Sequence, residues 1–132
     1  LPHEAVLSTV YYVATTGKDD NPGTSLGQPF KTVQKCATVA VAGDTCLIRA
    51  GTYRETVTPA HSGAAGSPIT FAAYAGESVT ISGADVIAGW TLHTHPSGHV
   101  YRATMPWSLN VRTTSPDQVT NNQVFVDGQM MP

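Results

Sequence analysis

The sequence predicts an all-β chain: the first coils of a parallel β-helix, closed by a short N-terminal α-helix. Two observations carry this. The stretch DTCLIRAGTYRETVT, starting at Asp44, is echoed twenty-odd positions later by PITFAAYAGESVTIS. Each copy is a short apolar strand, a small-residue corner and a second short strand. Twenty-odd residues is the length of one solenoid coil, and a single coil must stack on the next to bury its apolar face. Ahead of the pair, Phe30, Val33 and Ala37 recur at spacings of three and four, with Cys36 beside them. That is a short amphipathic helix, and an open solenoid end needs such a cap.

The elements follow in order. Residues 1–9 form a loose lead-in, and Val10-Tyr11-Tyr12-Val13 is a strand. Residues 16–27 are turn material, with Gly17, Asp19, Asp20, Asn21, Pro22, Gly23 and Gly27 breaking any regular element. The helix is expected over 29–40, with Pro29 in its first turn and Gly43-Asp44 ending it. Residues 45–49 are the first coil strand, with Cys46 and Ile48 on one face. Its second strand is expected at 55–58. A Gly- and Ala-rich loop then leads to strands at 69–74 and 78–82. Val86-Ile87 reads as a short third strand and 90–96 is ambiguous. Residues 100–103 and 123–126 read as further strands. The long polar stretch 106–122 reads as an insertion. Asp127-Gly128 signals a hairpin turn, with no returning strand in the four residues after it. No linker or domain boundary stands out. Residues 1–132 therefore read as the cap and first coils of a longer chain.

Cys36 on the helix and Cys46 on the strand are placed to form a disulfide that clamps the cap onto the first coil. Closing a loop of about ten residues contributes on the order of 3 kcal/mol. A reduced buried pair is the alternative. Neither cysteine sits in a CxxC, which argues against a catalytic thiol.

Only 12% of the 132 residues are charged and the formal charge is -2. A nucleic-acid surface needs a basic stripe, and a polybasic membrane patch needs clustered Lys and Arg; the seven here are scattered. Neither partner is expected. Charged polysaccharides stay open, through a local groove that net charge does not reveal. No run approaches the roughly 18 apolar residues that span a bilayer. Abundant Thr, Ser, Gly and Ala, with few Lys and Glu, point to a secreted, extracellular protein. The chain starts Leu1-Pro2-His3, as it would after removal of a leader.

YYVATTGKDDNPGTSLGQPFKTVQKCA (11–37), GDTCLIRAGTYRETV (43–57) and SPITFAAYAGESVTISG (67–83) resemble the amino-terminal part of secreted right-handed parallel β-helix proteins. The group is the pectate-lyase-like superfamily, with its polysaccharide lyases and β-helix glycoside hydrolases. The likeness weakens over 84–122 and returns at QVFVDGQMMP (123–132). It implies a right-handed coil, a capping helix and a carbohydrate partner. It also implies catalytic residues on later, central coils, sometimes with calcium, so no catalytic position carries over to this chain. Cys36 and Cys46 stand where the group often has ordinary apolar or small residues, which makes the disulfide a local addition.

Few residues here offer chemistry of their own. Asp19, Asp20 and Asn21 form an oxygen-rich turn. Turn capping is their ordinary role; a calcium ion, which wants six to eight oxygens, is the alternative. Arg54 and Glu55 follow the first corner. They either tie that corner together or position a sugar through the guanidinium fork. Trp90 and Trp107 are the aromatics best suited to stack on sugar rings, and burial against a flank is equally ordinary. Glycoside hydrolysis needs two carboxyls roughly 5–9 Å apart, and nothing in the sequence brings Asp85, Asp117 and Asp127 together. His93, His95 and His99 lack a further ligand for zinc.

Two functions fit. One is the N-terminal scaffold of a secreted enzyme that degrades polysaccharide, lyase or glycoside hydrolase, with the remaining coils of the same protein as its main contact. The other is a non-catalytic β-helix module for carbohydrate binding or cell-surface adhesion. Fold alone does not choose between them.

Overall fold

The structure is a computed structural model, and it describes residues 7–96, 98–104, 125–126 and 129–130. The chain forms two compact units, Leu1–Asp85 and Val86–Pro132. No break in composition marks this division in the sequence.

The first unit stacks short parallel strands. Strand β1 (Val10–Val13) pairs with β2 (Thr45–Ile48), which pairs with β4 (Thr70–Ala73), all parallel. A second parallel sheet joins β3 (Gly51–Arg54) to β5 (Val79–Ser82). This is a β-helix-like stack, with each coil crossing both sheets. Period-two alternation decides which side chains turn inward. Val13, Cys46, Ile48 and Tyr53 are buried, at 0, 0, 3 and 4% exposure. Their neighbours Tyr12, Leu47 and Thr52 are more open.

The helix α1 (Val33–Val39) lies against this core. Val33, Cys36, Ala37 and Ala40 are all buried, the i, i+3, i+4, i+7 stripe of a helix with one apolar face. Seven residues are too few to hold a helix unaided, so the surroundings matter. The Thr32 hydroxyl accepts from the Lys35 N–H at 3.0 Å. The Glu55 carboxylate accepts from the Val33 and Gln34 N–H groups at 3.0 and 2.7 Å. The Ala40 N–H closes the last turn on the Cys36 carbonyl. A Cys36–Cys46 disulfide joins helix to strand, with the Cα atoms 6.3 Å apart. The two cysteines thus do the clamping job expected of them.

Several boundaries move. The helix begins at Val33, not at Pro29, because Phe30 is taken by the sheet. The Phe30 N–H donates to the Tyr12 carbonyl, and the Ala14 N–H donates to the Phe30 carbonyl. The second strand of the first coil is β3 (Gly51–Arg54), not 55–58. Those later residues leave the sheet to serve the helix. Glu55 caps it, and the Gln34 side-chain amide bonds both the N–H and the carbonyl of Thr58. Val86 and Ile87 form no strand.

The coil repeat is not uniform. Cys46 pairs with Phe71, 25 positions on, whereas Tyr53 pairs with Ile81, 28 positions on. The corner lengths account for the difference. Arg49 and Ala50 alone separate β2 from β3, while residues 74–78 separate β4 from β5. The longer corner opens with a 3-10 turn, Tyr74–Gly76, in which Ala75 adopts φ 49°. That left-handed conformation costs a non-glycine residue about 1–2 kcal/mol.

In the second unit, β6 (Thr91–His95) pairs antiparallel with β7 (Gly98–Arg102). This hairpin resolves the ambiguous 90–96 stretch. Strand β8 (Phe125–Val126) pairs antiparallel with β9 (Gln129–Met130). The returning strand after Asp127-Gly128, not expected from the sequence, is therefore present. The 106–122 stretch lies outside the described residues.

Candidate functional site

The polar turn 14–31 has its own internal order. The Asp19 carboxylate accepts from the Lys31 N–H, the Thr32 N–H and the Thr32 hydroxyl, at 2.9, 3.0 and 3.0 Å. The Asn21 side-chain amide donates to the Pro29 carbonyl at 2.8 Å. These are capping contacts: they hold the turn against the start of α1. Both Asp19 oxygens are thus engaged by protein donors. Among the described residues there is no group of three or more His, Cys, Asp or Glu placed to hold a metal.

Arg54 and Glu55 part company. Glu55 turns to the helix N-terminus, where its negative charge also suits the helix dipole. Arg54 turns out and donates from Nη1 to the Ala84 carbonyl at 3.1 Å. They form no joint sugar clamp. Trp90 is 54% exposed, with its indole N–H donated to the Ile87 carbonyl at 2.9 Å. In the β6–β7 hairpin Leu92 pairs with Tyr101, and both are exposed. Trp107, Asp117 and Asp127 lie outside the described residues. His99 pairs with Thr94 and His95 with Gly98, so the three histidines do not share one register.

Sequence reasoning missed the feature that stands out at the first corner. Arg49 donates from Nε to both oxygens of Glu77 at 2.9 Å, and the Ala50 N–H donates to the same carboxylate at 2.6 Å. The guanidinium sits 5.0 Å from the centre of the Tyr74 ring, within cation–π range. Tyr74 in turn meets Tyr12 edge-on at 6.1 Å. Arg49 and the Ala50 N–H hold the Glu77 carboxyl below the usual carboxylate range, and Glu77 raises Arg49 above its own. Beneath this corner the Tyr53 hydroxyl donates to the Arg49 carbonyl at 2.9 Å. Burial first, then the charge of Glu55, pushes the Tyr53 phenol up. The available signal was spacing: Arg49 and Glu77 are 28 residues apart, the same offset as the β3–β5 register.

Arg49 also forms one wall of an open cleft of about 390 Å³. Thr16, Lys18, Asn21, Gln28 and Pro29 contribute to the rest, and no Asp or Glu lines it. The Lys18 N–H donates to the Pro29 carbonyl at 3.1 Å, and a Cβ on Gly17 would come within 2.6 Å of the same oxygen.

No protein-family model matches the chain. It is 48% identical over 75 residues to the uncharacterized protein YwoF of Bacillus subtilis, covering 57% of this chain and 16% of that protein. It is 39% identical over 84 residues to the pectate lyase PEL9 of Emericella nidulans, covering 62% of this chain and 20% of the lyase. Among solved structures, the complex of XylC with xylose matches at TM-score 0.62 and 41% identity, over 66% of this chain and 14% of XylC. The chain thus spans a fifth or less of the length of each of these three proteins. Over this part of their length the chain is similar to carbohydrate-active proteins, a pectate lyase among them.

Proposed function

We propose that residues 1–132 are the N-terminal cap and first coils of a right-handed parallel β-helix in a secreted, polysaccharide-degrading enzyme. The observation that carries this reading is the capped parallel stack: α1 and the 14–31 turn cover one end, and parallel strands stack away from it. The similarity to a pectate lyase and to a protein whose structure was solved in complex with xylose supports a glycan as the partner. Catalytic groups would sit on later coils. The role of this segment is then to seal the fold and border one end of the substrate groove. Trp90 and Trp107 are its sugar-stacking candidates, with Arg54 as a lesser one.

The test is product analysis with the full-length protein on pectin, xylan, alginate and β-glucan. Products absorbing near-ultraviolet light mark an unsaturated end and hence a lyase. Plain reducing ends mark a hydrolase. Retention on one of these glycans with no product formed would favour the non-catalytic binding module and overturn the enzyme reading.

A further inference from the structure

We propose that the Cys36–Cys46 disulfide is a redox latch on the helical cap: a small dithiol reaches it only when α1 loosens from the stack, and Glu55 sets how often that happens. This holds whichever glycan the protein acts on.

Access is the first argument. Both cysteines are 0% exposed, and the buried cluster of Val13, Phe30, Val33 and Ile48 closes around them. Thiol–disulfide exchange needs a thiolate to reach a sulfur, so its rate depends on access. A bridge buried on both sides must wait for a local opening.

The second argument is which element gives way. Cys46 sits in β2, bonded along one edge to β1 and along the other to β4. Cys36 sits in a helix of seven residues, too short to persist unaided. Beyond its apolar stripe and the bridge, α1 is held by a few polar contacts. Glu55 accepts from the Val33 and Gln34 N–H groups at its start. The Gln34 side chain bonds Thr58, and the Ala60 N–H donates to the Ala37 carbonyl at 3.0 Å. Past its end the Asp44 carboxylate accepts from the Val41 N–H at 2.9 Å. Elements held by few bonds open at a lower cost than the whole fold. Glu55 supplies two of these bonds to the helix itself, both charge-assisted, which makes it the strongest single hold.

The third argument is what reduction releases. A thiolate of the dithiol bonds one cysteine sulfur, the S–S bond breaks, and the other cysteine leaves as a thiolate. The second thiolate of the dithiol then attacks its own partner sulfur, closes a cyclic disulfide and frees the remaining cysteine. Two electrons pass to the cysteine pair, and the two protons lost by the dithiol end on the cysteine thiols through water. With the bridge gone, α1 keeps only its packing and polar contacts. The apolar end of the stack that it covers, Val13, Phe30 and Ile48 among it, is then bared more often.

The experiment follows reduction of the full-length protein by dithiothreitol. Free thiols are trapped by alkylation and counted by mass, without urea and in urea below the unfolding transition. Wild-type reduction is expected to be slow and nearly independent of urea, as for a local opening that exposes little surface. Glu55→Ala should speed it about thirtyfold. Glu55→Gln, which keeps one acceptor, should speed it less. Glu77→Ala removes a carboxylate that bonds Arg49 and Ala50 instead of the helix and should leave the rate as it was. The reduced protein should bind a dye for exposed apolar surface and lose exchange protection at the Ala40 N–H. Wild-type rates in both Glu55 variants would overturn the proposal. Acceleration in Glu77→Ala equal to that in Glu55→Ala, or a rate that climbs steeply with urea, would overturn it too, because the whole fold would have to open. Reduction with neither dye binding nor lost protection would show a cap that stays shut without its bridge, and would end the latch.

Discussion

At the β1 end of the first unit the inward side chains are covered and part of the backbone edge is bonded. The Tyr12 N–H donates to the Gly23 carbonyl, Phe30 bridges Val13, and α1 lies over Cys46. At the β4–β5 end the inward positions continue in the same register but stand open. Phe71, the partner of buried Cys46, is 37% exposed; Ile81, the partner of buried Tyr53, is 47% exposed. The same pattern of residues is core in one coil and surface in the next. Position in the stack, rather than residue type, decides burial. Among the described residues the two ends of the stack therefore differ, one covered and the other open.

The largest effect should come from unclamping the closed end. Replacing both cysteines, Cys36→Ala with Cys46→Ala, is expected to cost about 3 kcal/mol in denaturant unfolding. A loss below about 1 kcal/mol would mean that the helix is held by packing alone. Glu55→Ala strips two N-terminal N–H groups of α1 of their acceptor and should cost about 2 kcal/mol. Helix-specific amide exchange near Val33 and Gln34 reads this directly. At the open end, Phe71→Ala should cost about 1 kcal/mol if the side chain stays as exposed as it is here. A cost above about 3 kcal/mol in the full-length protein would show a further coil packed on it.

The smallest effect is acid sensitivity at the corner. Arg49 and the Ala50 N–H lower the folded-state pKa of Glu77. The stabilisation is therefore complete above the ordinary glutamate range and fades as pH falls through the lower folded value. Glu77→Gln should flatten the stability profile in that acid window and leave it unchanged near neutrality. An unchanged acid limb would detach Glu77 from the corner.

The helix face and the first sheet were legible because local periodicity encodes them. Val33, Cys36 and Ala37 recur at helical spacing, and Cys46 and Ile48 alternate. The disulfide followed from placing those two faces together. What stayed hidden depends on partners distant in sequence. Glu55 caps a helix that starts 22 residues earlier, and Asp19 bonds a backbone 13 residues on. Each carboxylate looked like a candidate for ligand chemistry until its partners were known. Pro29 misled for a similar reason: its preference for a helix start is local, and the sheet captured Phe30 first. The contact of Arg49 with Glu77 and Tyr74 was missed because the partners lie on the second, longer corner, which the first copy does not show.

The difference between the corners reaches further than this contact. Between the two coil copies one sheet counts 25 residues and the other counts 28, and β1 lies 35 residues before its partner in β2, so no single period describes the stack. Corners work as adjustable spacers between fixed rungs. Insertions there can reshape what borders the sheets while each rung keeps its neighbours, leaving the scaffold steady as its rim diversifies.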